Sequence, residues 1–430
     1  MSCSGLRFPY RALRCCCAVV SFFGYLYIGT TANAQEPMKL FRPSAQITTK
    51  KQMVRPQGTE LLGLVNLNAE ALTRLAARPT EAVELVINLG EALNLRLDVP
   101  GGADMRANLT TERSSTEPTD HIKWAGRISG VDDSSVTFAY FEGAAAGSIR
   151  LPNTTIKIRR VEGDIYAVEK INAQDFPDEA HPALSPKRKS GLIRKNATAQ
   201  CESDPTIKKI SVLMLYTDAA ATAAGSEQDL RTILYDVVGE ANLAARNSDV
   251  RVEFSIAQLQ KAVVSKGKNP PQYLDNLTKD ASIKKLRDSH RAHIVSLLDD
   301  LHQPKYYCGI GHVMQDPASP DRSVGYNIVD FLCAWNNLSW IHEVGHNFGA
   351  AHNKENAESS GLFDYSYGQR WPKKFRSIMA YKCDDASPCN RLARFTNPRI
   401  VYSGVTIGDA RLTDNARTIN QSRCAVADWY

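Results

Sequence analysis

Between Gln35 and Gln200 the chain contains no cysteine, although it has ten in all. Cys3, Cys15, Cys16 and Cys17 crowd its start, and Cys201, Cys308, Cys333, Cys383, Cys389 and Cys424 all lie after residue 200. Disulfides are therefore excluded from Gln35 to Gln200. In an exported chain the last six would form three bridges. Cys383 and Cys389 are close enough to staple one loop, and Cys308–Cys333 with Cys201–Cys424 would complete the set, though six cysteines allow many other connectivities. Concentrated charge is lacking too. The formal net charge is +6, and Arg7, Arg11 and Arg14 supply half of it. Nucleic acid as a partner wants a concentrated basic face, so that class is set aside. After residue 34 no apolar run is long enough to span a bilayer, which argues against stable membrane insertion.

What is present fits a folded protein: 43% of residues are hydrophobic and 23% charged, enough apolar material for real cores. Residues 1–34 read as a signal peptide. Three arginines precede the apolar run "CCCAVVSFFGYLYIG", and "ANA" supplies small residues at Ala32 and Ala34. Cleavage before Gln35 and secretion are expected, with an uncleaved N-terminal anchor as the alternative.

Three further regions follow. Residues 35–184 alternate apolar and polar positions in short runs such as "AVELVINLG", "SSVTFAYFEG" and "TTIKIRRV", which predicts a small antiparallel sheet domain. Residues 185–200 form a basic linker containing Lys187, Arg188, Lys189, Arg194 and Lys195, an exposed stretch suited to proteolytic maturation. From Cys201 to Tyr430 the pattern changes. Strand-like "KKISVLMLYT", helical "SEQDLRTILYDVVGEANLAARNS" and strand-like "VRVEFSIAQLQ" begin an alternation that predicts a largely parallel sheet flanked by helices. In the first of those helices Leu230, Ile233, Leu234, Val237, Val238, Ala241 and Ala244 share one face, and Ser226 can cap its start. "CAWNNLSWIHEVGHNFG" reads as one continuous helix.

That last helix carries the chemistry. His342 and His346 are one turn apart, so both imidazoles project from the same face and can share one metal ion. Glu343 is adjacent, in the position of a general base acting on metal-activated water. Gly349 can take a positive φ and turn the chain, which lets His352 return as a third ligand. Three protein ligands leave a position open, the arrangement of one catalytic Zn²⁺ ion. Two blander readings are a buried helix with satisfied histidines and a zinc site that binds without catalysing.

HExxHxxGxxH followed by "SIMAY" resembles the metzincin metalloproteases, which pair that motif with a Met-turn. The resemblance puts Met379 beneath the metal as structural support, a role equally compatible with an ordinary core methionine. His352 followed by Asn353 is similar to the reprolysin (adamalysin-like) branch. "ISVLMLYTDAA", "YYCGIGHVM" and "FTNPRIVYSG" look like the bacterial secreted members of that branch, which include peptidyl-Asp metalloendopeptidases. The resemblance implies an α/β (α+β) catalytic domain over 201–430 with a twisted, mostly parallel sheet, an active-site helix and a Met-turn. It implies a zinc endopeptidase acting on protein or peptide substrates, with 35–184 as a pro-domain and intramolecular inhibitor.

The same resemblance puts the S1′ wall around and after Met379, a segment with eight basic residues against Asp384 and Asp385. Lys382, Arg391 and Arg394 are candidates to pair with an acidic P1′ side chain, preferably Asp, with solvated surface as the alternative. Many relatives keep latency with a cysteine on the zinc. The cysteine-free pro-domain rules that out and leaves Asp104 or steric occlusion. The rival function is a non-catalytic secreted zinc-binding or toxin-like interaction module.

Overall fold

A computed structural model describes residues 38–43, 58–68, 70–71, 83–87, 105–112, 121–184, 201–302, 306–317 and 321–430. The expected signal peptide, the basic linker 185–200 and Asp104 lie outside these residues.

The N-terminal half is a ten-stranded sheet. Its strands are β1 (Met38–Lys39), β2 (Phe41–Pro43), β3 (Thr59–Leu67), β4 (Val83–Ile87), β5 (Met105–Glu112), β6 (His121–Ile128), β7 (Ser135–Phe141), β8 (Ala144–Leu151), β9 (Thr154–Glu162) and β10 (Ile165–Ile171). They lie in the order β1-β4-β5-β6-β7-β8-β9-β10-β3-β2. Every neighbouring pair is antiparallel except β1 with β4. Its core joins Val65, Trp124, Val136, Phe138, Ile149, Ile156, Ile158 and Tyr166.

The C-terminal half is built on a six-stranded mixed sheet. It contains β11 (Ala183–Leu184), β12 (Lys208–Tyr216), β13 (Val252–Lys261), β14 (Ile294–Asp299), β15 (Gly309–Val313) and β16 (Tyr326–Asp330), in the order β11-β15-β16-β14-β12-β13. Four neighbouring pairs are parallel, and β15 runs antiparallel to β16. The helices are α1 (Asp218–Ala224), α2 (Glu227–Asn247), α3 (Pro270–Lys279), α4 (Ala281–Ser289), α5 (Phe331–Asn336), α6 (Ser339–Asn347) and α7 (Asn415–Ala427). Three disulfides hold this half: Cys201–Cys424, Cys308–Cys333 and Cys383–Cys389.

Three observations go beyond the sequence reading, the last two as corrections. First, the stretches on either side of the compositional boundary near residue 200 pack against each other. Pro37–Tyr430 is one compact unit, and the N-terminal sheet is larger than the small domain expected. The seam between the halves is α2, which packs against β7 and β8 on one side and β13 on the other. Secondly, α2 is therefore not a one-faced helix. Its apolar stripe is buried as expected, but so are Thr232, Asp236, Glu240 and Asn242. Each buried Leu, Ile or Val of the stripe contributes about 1.5–3 kcal/mol. The polar residues are tolerated because the opposing sheet supplies partners: Thr137 and Ser148 donate to Asp236 (2.7 and 2.5 Å), while Arg150 and Lys157 donate to Glu240 (2.7 and 2.6 Å).

Thirdly, the helix expected from Cys333 to Gly349 is two helices. Asp330 caps α5 by accepting from Cys333 N at 3.0 Å. The chain then breaks at Leu338, whose φ is 57°, a left-handed conformation that a non-glycine residue adopts at a cost. The break frees the Asn337 carbonyl, which accepts from Arg391 at 2.8 Å, and lets α6 start in a new direction.

Candidate metal centre

The site grows from α6. Its residues from Ser339 to Asn347 are all buried. His342 and His346 occupy one face, and the helix ends at Phe348. Gly349 has φ 90°, and a Cβ there would lie 2.6 Å from Leu362 Cβ, so both conformation and space call for glycine. The turn satisfies the last carbonyls, with Gly349 N donating to His346 O at 2.8 Å and Ala350 N to Gly345 O at 3.0 Å. The chain then runs back past the helix and delivers His352.

The three imidazoles converge. His352 Nε2 lies 3.0 Å from both His342 Nε2 and His346 Nε2. His342 Nδ1 donates to Ile378 O and His346 Nδ1 to Ala350 O, each at 2.8 Å. A carbonyl accepts only from N–H, so these bonds fix the proton on Nδ1 and leave the Nε2 lone pairs free. Burial pushes His342 down to about 4, His346 down to about 3, and His352 well below its ordinary value. All three are thus neutral ligand donors at pH 7.

Glu343 is fully buried, and neither carboxylate oxygen has a hydrogen-bond partner. Burial, reinforced by the nearby Glu179, holds it well above the ordinary carboxylate range. Room for this carboxylate comes from β15. A Cβ on Gly309 would lie 2.7 Å from Glu343 Oε1, and one on Gly311 would lie 3.0 Å from Oε2. Sequence reasoning missed these two glycines. The signal was there, since alternate glycines inside a strand mark a close approach. A buried, orphaned carboxylate beside three convergent neutral nitrogens is a donor set that fits a tetrahedral metal with an open position.

Met379 is buried directly under α6, such that a Cβ on Gly345 would come within 2.5 Å of its sulfur. The basic candidates separate. Arg391 enters the site's buried cluster, where its guanidinium grips Glu179 at 2.6 and 2.8 Å. Arg394 is engaged elsewhere, donating to Asn247 O and lying 3.7 Å from Asp133. Lys382 meets the site through its backbone N–H, which donates to Asp178 at 2.8 Å. Arg376, not singled out beforehand, is buried nearby and donates to Ala380 O at 2.7 Å. Solvated surface is thus the wrong description of Arg376 and Arg391.

A second cluster, Asp300, His302 and Asp330, is of a different kind. Its acids are already occupied: Asp300 by the His302 ring at 2.5 Å, and Asp330 by the backbone N–H groups of Leu301 and Cys333.

Residues 206–395 match the family model Reprolysin_5, Metallo-peptidase family M12. Together with the histidine triad, this match supports a metzincin-like metalloprotease domain over those residues. Among curated proteins it is similar to a peptidyl-Asp metalloendopeptidase of Xanthomonas campestris, with 27% identity over 70% of this chain and 72% of the relative. One from Stenotrophomonas maltophilia is also 27% identical, over 94% of this chain and 97% of the relative, so the likeness includes the N-terminal sheet. A solved metalloproteinase-II from Bacteroides fragilis aligns with TM-score 0.41 and 12% identity, over 68% of this chain and 89% of that one.

Proposed function

We propose that the chain is a secreted zinc-dependent endopeptidase, made as a precursor whose N-terminal sheet, residues 35–184, acts as an intramolecular inhibitor until the linker at 185–200 is cut. The observation that carries the reading is Glu343, buried without a partner beside His342, His346 and His352. A non-catalytic binding module has no need of that carboxylate, and leaving it unpaired costs stability. The three disulfides agree with export into an oxidising compartment.

His342, His346 and His352 would hold the metal through Nε2. Zinc, when bound, supplies Lewis acidity toward a water and a peptide carbonyl. Glu343 accepts the proton from the attacking water and delivers it to the leaving amine. Gly309 and Gly311 keep the space around that carboxylate clear. Met379 and Gly345 support the ligand helix from below, in the manner of a Met-turn. The relatives are named for Asp, and placing that Asp at P1′ fits a buried arginine at the site.

Chelator treatment of the purified linker-cut protein is expected to abolish peptide cleavage, and added zinc to restore it. A peptide library read by mass spectrometry is expected to show Asp enriched at P1′. Cleavage that persists without metal would remove the zinc reading, and a flat P1′ profile would remove the Asp preference.

A further inference from the structure

The segment that follows β10 does not leave the molecule; it runs through the site. Cys308 N donates to Asp178 O at 3.3 Å, and Ala180 N donates to Gly309 O at 2.8 Å. Ala183 and Leu184 then pair in parallel with His312 and Val313. Those two residues are the whole of β11, so without them β15 would be the edge of its sheet, the surface on which extended peptides add as a strand. His181, between them, has its ring 6.0 Å from that of His352.

Within this segment one side chain is buried completely. Glu179 accepts from Arg391 through both terminal guanidinium nitrogens (2.6 and 2.8 Å) and from Ser339 Oγ at 2.7 Å. Its backbone carbonyl accepts from Tyr381 at 2.8 Å, and its Oε2 lies 3.9 Å from His342 Nδ1. Arg391 is as buried as its partner and is otherwise bonded to neutral acceptors, Asn337 O at 2.8 Å, Ala380 O and Ser339 Oγ, each of the last two at 3.4 Å. A guanidinium so enclosed needs an anion, or it is left as a costly buried charge. When the segment leaves, something acidic has to replace Glu179.

Resting on the endopeptidase reading above, we infer that Asp178–Leu184 is a built-in pseudosubstrate: the Glu179 carboxylate fills the subsite that takes an acidic side chain of the substrate, and Arg391 is the residue that selects it. Latency and specificity are then one contact. The inhibitor is held by the interaction that recognises the substrate, and it acts without a donor on the metal.

The test uses the full-length chain and its Glu179→Gln variant, with zinc content and melting temperature measured on both. Glu179→Gln is expected to raise cleavage of a P1′-Asp peptide by the uncut chain at least about tenfold, the worth of one charge-assisted hydrogen-bond pair. A synthetic peptide of residues 176–184 should inhibit that variant, and the same peptide with Gln at position 179 should inhibit about tenfold less. In the Glu179→Gln background, Arg391→Gln should collapse the kcat/KM ratio of P1′-Asp over P1′-Asn peptides by roughly 10- to 100-fold. Should the variant fold poorly, the wild-type chain cut in its linker takes the two inhibitor peptides instead. Equal inhibition by both peptides, or a folded Glu179→Gln chain as latent as its parent while the linker-cut chain is active, would overturn the inference and leave the endopeptidase standing. No cleavage by any zinc-loaded form would overturn both.

Discussion

Glu240, midway along α2, and Glu343, in α6, are both buried glutamates. Around Glu240 burial raises the carboxyl, but Arg150 and Lys157 outweigh it and hold the group below its ordinary value. Around Glu343 burial acts with no bonded cation against it, and the carboxyl stands well above that range. The seam spends its ion pairs on joining two halves of the chain. At Glu343 the carboxylate is left unpaired, a cost in stability that the proposed proton transfer would require. A buried acid surrounded by partners is a structural element, whereas the one flanked by Gly309 and Gly311 is left room for the role proposed for it.

That contrast can be broken by substitution. The largest effect is expected at Glu343→Gln, which should lower kcat/KM of the linker-cut protein by about 10²–10⁴-fold while the melting temperature holds or rises. A matching loss of stability would put Glu343 in the same structural class as Glu240. Glu240→Ala should do the converse. It strands Lys157 in the seam, and denaturant unfolding should register a loss of about 3–5 kcal/mol with zinc affinity unmoved.

Asp236 gives a smaller, pH-dependent test. Burial lifts it to about 6, with Lys157 opposing and Glu240 adding to the lift. Its folded value is above its unfolded one, so its stabilising share is full below about pH 4 and is lost as pH rises through 6. Glu240 has the opposite sign, its share being lost in acid. Asp236→Asn should therefore remove a decline of up to about 3 kcal/mol between pH 4 and pH 7, read as melting temperature against pH. The smallest effect is expected at Met379→Leu, a swap of similar volume under α6. It should cost less than about 1.5 kcal/mol and leave zinc bound. Loss of the metal would mean that the sulfur does more than fill space.

Different parts of the fold were legible to different degrees. The strand and helix alternation after residue 200 was readable because periodicity is local. The break at Leu338 was not, because its compensation comes from Arg391, 53 positions away in sequence. The burial of α2's polar side was equally hidden, since the sheet that covers it is built from β7 to β9, some 90 positions upstream. In the site, the lone glycines of β15 left a trace in the sequence, while Glu179 left none.

The sequence by itself determined the spacing of His342, His346 and His352, the adjacent Glu343, the turn at Gly349 and the absence of cysteine between Gln35 and Gln200. All of these are set by helix geometry and chain chemistry over a few residues, or by composition. Only the tertiary structure decided what faces them: Gly309 and Gly311 against Glu343, the β7–β9 surface against α2, and Glu179 against Arg391 across 212 positions. Those contacts depend on which distant surfaces exclude water together, and burial of a charge acquires its meaning only once its neighbours are known.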